Sequence, residues 1–535
     1  MKQISIVIGL IVSVMIVSMT IMALEENSSR ETELNRAVAA AVKQTVKASC
    51  GKNKEINSND DMINFCMNNI AYNVSGTSDY EIEVMSVDYK EGMLDIIVTE
   101  KYTNVVGKEK KITIKNLKNV VNGSLSFENH RKNYKSSVLG LYGQNGSGKT
   151  VLIDAISLLK IALCGRPIPK QYADFVNIDA DAATLEYEFT VKDINKKAEY
   201  NVGYSFSLKK EIEKNTVNVD DNSLELSEEE KTVIFDEVLS YSYECGDEKI
   251  RKTAIVDTRT SDVFLPKSKY TVLTGNEDEK DLFVAKKIAL ATSRSFVFSK
   301  ELLNCIRKNC KERYHVFLFN ALTKFGNFEL FIINTKNSGL ISFDALPLFF
   351  KYSNKSGNAV GNLPIPLNDS GVIPEQAFEV INNVIDNMNI VLAQIIPNLT
   401  IGIKVIGTQT MRNGETSYII ELISKKNKKE IALRYESEGI KKIVSILQLL
   451  IVVYNNDSIT VAIDELDSGI FEYLLGEILR IISEKGKGQL IFTSHNLRPL
   501  ETIDKGFVAF TTTNVNNRYI RFSNVKNNNN LRDFY

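Results

Sequence analysis

The stretch at residues 137–160 reads SVLGLYGQNGSGKTVLIDAISLLK, an apolar run, a glycine-rich segment and a second apolar run in direct succession. Its first six residues are an apolar run of the kind that forms a strand buried on both faces. They feed Gly143-Gln144-Asn145-Gly146-Ser147-Gly148-Lys149-Thr150, which fits G-x-x-x-x-G-K-[ST] in full. Glycines let the backbone curl so that successive N–H groups point inward at phosphate oxygens. In that reading Lys149 reaches the β- and γ-phosphates of a nucleotide, and Thr150 offers its hydroxyl to Mg²⁺. Residues 151–160 follow as a helix whose positive end faces the same phosphates. An accidental glycine-rich turn is the alternative; a strand before the loop and a helix after it argue against it.

Two further strands complete the chemistry. Residues 458–467 read SITVAIDELD, an apolar strand ending in adjacent carboxylates. A parallel sheet delivers metal-binding acids to a nucleotide at the carboxyl ends of its strands. Asp464 would hold Mg²⁺ through water, and Glu465 would orient and activate the attacking water. The plainer alternative is a helix N-terminus with its usual acids, since residues 470–482 have helical periodicity. Residues 488–496 read GQLIFTSHN and place His495 at another strand end, where a γ-phosphate sensor would sit. A lone histidine there can equally be a polar residue with its hydrogen bonds satisfied.

Around these motifs the chain has 535 residues, 44% hydrophobic and 24% charged, with a formal net charge of −1. These values exclude general disorder, a multi-span membrane protein and a global basic field for nucleic acid. Six cysteines and three histidines make neither a disulfide scaffold nor an expected structural zinc site. Strands with period-two alternation are predicted at 112–117, 123–127, 184–191 and 200–208, and later at 401–405, 418–423 and 431–435. Helices are predicted over 281–308, 374–396 and 440–454. The acidic stretch 220–231 reads as an exposed loop. No internal repeat is present.

The order of these parts resembles the ATP-binding-cassette ATPases, and within them the SMC- and Rad50-related branch that includes the overcoming-lysogenisation-defect (OLD) ATPases of phage defence. The resemblance runs from about residue 110 to 535. It rests on the phosphate loop, the acidic strand, His495 and the segment Tyr435-Glu436-Ser437-Glu438-Gly439-Ile440-Lys441, which matches the family's serine-glycine signature. It implies an α/β P-loop NTPase of ABC-ATPase type, a mixed sheet with an antiparallel β subdomain and a helical insertion. It further implies ATP and Mg²⁺ as cofactors, and a homodimer with ATP sandwiched between subunits. Ser437 and Gly439 would contact the γ-phosphate in trans; Glu438 replaces the usual small residue, and a plain helix N-cap by Ser437 is compatible with that role. Asn116-Leu117-Lys118 resembles the family's N-F-[KR] turn, and Asp467-Ser468-Gly469 its D-loop. Gln171 is a weak candidate for the Q-loop glutamine. Forty residues follow His495, so the TOPRIM nuclease of OLD proteins is not expected, and no heptad run predicts coiled-coil arms. The implied role is antiphage defence or DNA-damage sensing with a separate effector. The rivals are a Rad50- or RecF-like DNA-repair ATPase, for which DNA is a partner, a transporter ATPase, and an envelope component carrying the ATPase as a fused passenger.

The amino-terminal part differs in character. Residues 3–24 carry no charge, and a run of that length suits a single transmembrane anchor. A cleaved signal peptide and a buried helix are the alternatives; Met22-Ala23-Leu24-Glu25 is a poor cleavage site. A helix at 28–48 and strands at 80–85 and 93–102 follow, a layout that resembles a pilin-like membrane protein. Cys50 and Cys66 could pair if this part faces outward, and two ordinary reduced cysteines are the equal alternative. The expected organisation is an anchor at 1–24, a small α+β segment at 25–109, and an ATPase at 110–535. Within the ATPase, residues 110–165 and 425–535 form the nucleotide core and 166–424 the insertion. The expected location is single-pass membrane-anchored, with the ATPase needing cytoplasmic ATP. Lys2 before the run and Glu25-Glu26 after it suggest an inside amino terminus, which conflicts with that need.

Overall fold

The computed structural model describes residues 45, 48, 58–73, 79–88, 93–101, 105–128, 137–193, 198–220, 223–245, 248–275, 279–334, 345–354, 357–366, 370–396, 398–410, 416–426, 429–468, 470 and 472–521. The chain divides into two compact units, Met1–Asn104 with Tyr352–Gly361, and Val105–Lys351 with Asn362–Tyr535. In the first, helix α1 (Asn59–Asn73) precedes an antiparallel pair, β1 (Asp79–Asp88) and β2 (Met93–Lys101), with a bulge between Val84 and Ser86. The anchor expected at residues 3–24 lies outside the described residues, as does the helix expected at 28–48 except for Thr45 and Ala48, which are helical. Among the described residues, no helix is long and apolar enough to cross a membrane.

The second unit stacks two sheets about one helix. The strands β3 (Val105–Leu117), β4 (Val120–Ser126), β6 (Ala183–Asp193), β7 (Ala198–Asp220), β8 (Ser223–Cys245) and β9 (Glu248–Asp257) form an antiparallel sheet in the order β4-β3-β6-β7-β8-β9. The other sheet joins β5 (Ser137–Tyr142), β10 (Leu330–Ile333), β17 (Thr460–Ile463), β18 (Gln489–Thr493), β19 (Val508–Thr511) and β20 (Tyr519–Arg521) in the order β10-β17-β18-β5-β19-β20. Its first five strands run parallel and β20 runs antiparallel. Every residue of β5, β17 and β18 is buried, as a strand covered on both faces requires. Strand β6 instead alternates, with Ala183, Leu185, Tyr187, Phe189 and Val191 buried and every second residue outward.

Between the sheets lies α2 (Lys149–Leu163), buried from Val151 to Leu159 and again at Ala162 and Leu163. Its apolar side chains face strands on both sides, so it needs no polar stripe. Each of its fully buried Leu or Ile side chains contributes ~2 kcal/mol by leaving water, and an Asp at Leu152 or Ile156 would break the sandwich. The helices α3 (Lys267–Thr274), α4 (Glu279–Ala291), α5 (Lys300–Asn309) and α6 (Arg313–Lys324) follow β9. Strands β11 (Ala345–Asn354) and β12 (Gly357–Pro366) pair with each other, while β13 (Gly371–Pro374), β14 (Leu399–Thr410), β15 (Thr416–Lys426) and β16 (Lys429–Ala432) form a four-stranded sheet beside α7 (Glu375–Ile395). Helices α8 (Glu438–Asn455), α9 (Glu472–Lys485) and α10 (Pro499–Thr502) accompany the last core strands.

Three expectations need correction. Residues 220–231 are not a loop: β7 and β8 continue as a long hairpin through Ile212↔Glu230 and Asn215↔Ser227 to Asp220↔Ser223. Charged residues hide the apolar alternation here, and opposite charges pair across the ladder, as Lys210 and Glu230 do at 2.6 Å. The strand predicted at 431–435 ends at Ala432, and Leu433–Tyr435 is a 3₁₀ turn. Leu330–Ile333, in a segment read as insertion, is the edge strand of the core sheet, next to the acidic strand β17.

Candidate nucleotide site

Strand β5 ends at Tyr142 and the loop turns at once into α2. Gly143 has no room for a side chain, because a Cβ would lie 1.8 Å from the Thr511 hydroxyl. Gly148, the residue before the helix, has φ +99°, which glycine adopts at little cost. Lys149 folds back over the loop and donates to the carbonyls of Gly143 at 2.7 Å and Gln144 at 2.9 Å. Burial lowers the pKa of this ammonium, against the pull of Asp464, Glu465 and Asp467. Gln144, Asn145 and Gly146 are exposed at the tip, and Ser147 steadies the turn by donating to the Gln144 carbonyl at 2.6 Å. The arrangement is a cationic, N–H-rich cup, suited to a polyphosphate.

Asp464 and Glu465 stand immediately after β17, one strand beyond β18 from β5. Asp464 is fully buried. Its Oδ1 accepts from Thr493 at 2.6 Å and from Thr150 at 3.4 Å, while its Oδ2 has no hydrogen-bond partner among the described residues. A buried carboxylate oxygen left open beside a phosphate-loop hydroxyl is a hard-oxygen donor set that fits Mg²⁺. Glu465 has φ +49°, a left-handed conformation costing ~1 kcal/mol or more in a non-glycine residue. Three bonds hold it there. Its N–H donates to the Thr493 hydroxyl at 2.8 Å, and its carbonyl accepts from Lys442 at 2.7 Å and from the Ser468 N–H at 3.1 Å.

His495 follows β18, and its backbone is fixed by Asp467, whose Oδ2 accepts the N–H groups of His495 at 3.1 Å and Asn496 at 2.9 Å. Thus the phosphate loop, Asp464 with Glu465, and His495 lie at the carboxyl ends of β5, β17 and β18. Ser437 and Gly439 are placed differently, at the start of α8. Ser437 is exposed and caps that helix by accepting the Ile440 N–H at 3.4 Å. Gln171 is exposed in the 3₁₀ turn Lys170–Phe175, Leu117 is buried, and Lys118 pairs with Asp154 of α2 at 2.5 Å. Gly469 lies outside the described residues.

Sequence reasoning missed Thr493 and Lys442. Thr493 is the fully buried hub between Asp464 and Glu465, and the only signal was its position directly before Ser494-His495. Lys442 is the second of two adjacent lysines early in α8, and it is 5% exposed. Burial lowers its pKa, opposed by the charges of Asp467, Glu465 and Asp464.

A glycine-rich loop between a buried strand and a buried helix, faced by carboxylates from the next strands, defines a P-loop ATPase. Residues 111–310 match the family model described as an AAA domain, and the chain is an ATP-hydrolysing enzyme. No curated protein matches it. Among solved structures it is similar to the Smc head domain with an extended coiled coil from Pyrococcus furiosus, bound to the C-terminal domain of ScpA (12% identity, 77% of this chain and 96% of that one, TM-score 0.36). It is also similar to the SMC head domain from Thermotoga maritima (13% identity, 78% and 99%, TM-score 0.32). A third similarity is to the recombination mediator protein RecF-ATPrS (12% identity, 78% and 99%, TM-score 0.32).

Proposed function

We propose that this chain is an ATP-driven switch in which two copies close on each other's nucleotide. One observation carries the reading: the exposed helix start at Ser437 belongs to the same helix as Lys442, whose ammonium holds the Glu465 carbonyl at 2.7 Å. A nucleotide of a second copy seated on Ser437 and Gly439 would therefore bear directly on the residue that prepares water. The backbone N–H groups of Gly143–Thr150 and the Lys149 ammonium would hold the phosphates. Thr150 and Asp464 would hold Mg²⁺, which offsets phosphate charge. Glu465 would orient the attacking water and take its proton, and His495 would contact the γ-phosphate.

The resemblance to OLD-like ATPases supports a role in antiphage defence or DNA-damage sensing through a separate effector. A Rad50- or RecF-like role in DNA repair is the second reading, and hydrolysis stimulated by DNA would favour it. The uncharged run at residues 3–24 supports membrane anchoring, and release of the full chain by carbonate would exclude it. The switch itself is tested by the concentration dependence of turnover. ATP hydrolysis per molecule should rise with protein concentration and then level off as dimer forms; a rate per molecule independent of concentration would overturn the two-copy reading.

A further inference from the structure

The last two strands of the core sheet do more than extend it. Tyr519 on β20 is buried, and its hydroxyl donates to the Gly148 carbonyl at 2.9 Å, across 371 residues of chain. Room for the ring exists because residue 123 is glycine; a Cβ there would lie 2.6 Å from it. Next to it, Arg518 donates to the Asn119 carbonyl at 2.7 Å and to the Thr512 carbonyl at 2.8 Å. Asn119 in turn donates its side-chain amide to the Gly146 carbonyl. Thr511, at the end of β19, donates to the Tyr142 carbonyl at 3.2 Å, just before the loop begins. Three carbonyls in and beside the phosphate loop are thus held from the protein side by this hairpin and the turn it grips.

The consequence follows from peptide geometry. The Gly148 carbonyl and the Lys149 N–H belong to one planar trans peptide and point in opposite directions. Holding the carbonyl toward Tyr519 turns the Lys149 N–H the other way, into the cup where a phosphate would sit. The Gly146 carbonyl belongs to the peptide whose other end, the Ser147 N–H, donates to the Gln144 carbonyl at 3.3 Å, so Asn119 and the turn hold that peptide from both ends.

We propose that Tyr519 is a positioning residue for the phosphate loop, and that the hairpin of residues 508–521 braces the loop for a nucleotide through Tyr519 and, by way of Arg518, through Asn119. The inference rests on the phosphate-loop reading. Tyr187 is its natural control. Tyr187 is also buried and donates its hydroxyl to a carbonyl of the same helix, Ala155, at 2.7 Å, but away from the loop.

The test compares Tyr519→Phe, Tyr187→Phe and Asn119→Ala in the full chain, measuring ATP affinity by calorimetry in EDTA so that no turnover occurs. Each phenylalanine variant loses one buried hydrogen bond and should melt a few degrees lower. Only Tyr519→Phe and Asn119→Ala should raise the Kd for ATP, by about tenfold for Tyr519→Phe. Asn119 is exposed, so its variant reports on the brace even if Tyr519→Phe does not fold. Wild-type affinity in Tyr519→Phe and Asn119→Ala, or an equal loss in Tyr187→Phe, would overturn the proposal and make Tyr519 a core residue. Lys149→Ala separates this from the reading beneath it: full ATP affinity there would sink the phosphate-loop assignment itself.

Discussion

Thr493 donates its hydroxyl to Asp464 at 2.6 Å from the neighbouring parallel strand, and the same oxygen accepts the Glu465 N–H at 2.8 Å. One side chain thus sets both carboxylate residues of the candidate site. The hydroxyl fixes which Asp464 oxygen is occupied and which stays open, and it anchors the left-handed turn at Glu465.

Thr493→Val keeps the shape and removes the hydroxyl. It leaves the Glu465 N–H and one lone pair of Asp464 without their partner, at a cost of ~1–3 kcal/mol in stability. Turnover should fall by about tenfold or more, because Glu465 is freed to leave its strained geometry. Thr493→Ser retains the hydroxyl and should restore most of the rate. Steady-state ATPase assays with thermal melts decide it; a valine variant with wild-type kcat would show that the hub is purely structural.

Lys149→Ala and Glu465→Gln should fail differently. The first removes the cation that sits among the loop carbonyls, so ATP binding should be lost. The second preserves shape and hydrogen bonding but not basicity, so ATP should bind at near wild-type Kd while turnover falls by about 10²-fold or more. Wild-type hydrolysis by Glu465→Gln would remove Glu465 from the chemistry.

The core strands β5, β17 and β18 were legible because each is a short, mostly apolar run that leads into a motif. Leu330–Ile333 was not, since four apolar residues after an amphipathic helix carry no period of their own. Neither were the contacts that complete the site. Thr493 lies 29 residues from Asp464 and Tyr519 lies 371 from Gly148, and nothing local in a threonine or tyrosine at a strand end reports a partner that only the sheet order supplies. The hairpin of β7 and β8 failed for the opposite reason: its strand signal was present in length but masked by charge.

Acid should expose a buried histidine away from the site. His315 has no exposed surface; Glu312 faces its Nδ1 at 3.0 Å, Lys269 its Nε2 at 3.2 Å, and the rings of Tyr241 and Tyr314 pack on it. Burial first, and then the Lys269 charge, push its pKa down to about 4 from 6.5, against the opposing pull of Glu312. Since the folded pKa is the lower one, the unfolded chain takes up the proton first. The stability His315 contributes is complete above about pH 6.5 and is lost as pH falls toward about 4, by up to ~3 kcal/mol. Denaturation midpoints of wild type and His315→Gln at pH 7 and pH 4.5 test this. The gap between the two pH values should shrink in the variant, and an equal gap would assign the acid sensitivity to other groups.

Dimerisation should depend on Ser437 in a way that monomer binding does not. The phosphate loop contributes one side of a nucleotide, while Ser437 and Gly439 begin a different helix with the Ser437 side chain exposed. If a second copy's γ-phosphate docks there, nucleotide binding energy becomes dimerisation energy by linkage. Glu465→Gln protein with ATP and Mg²⁺, unable to turn over, should therefore shift to dimer by light scattering. Adding Ser437→Arg should prevent the shift, since the larger side chain fills the space at the helix start. The helix cap is lost too, which costs only ~1 kcal/mol, so the variant should remain folded and bind ATP as a monomer. A Ser437→Arg protein that still dimerises with ATP would reduce Ser437 to the cap of α8 and move the interface elsewhere.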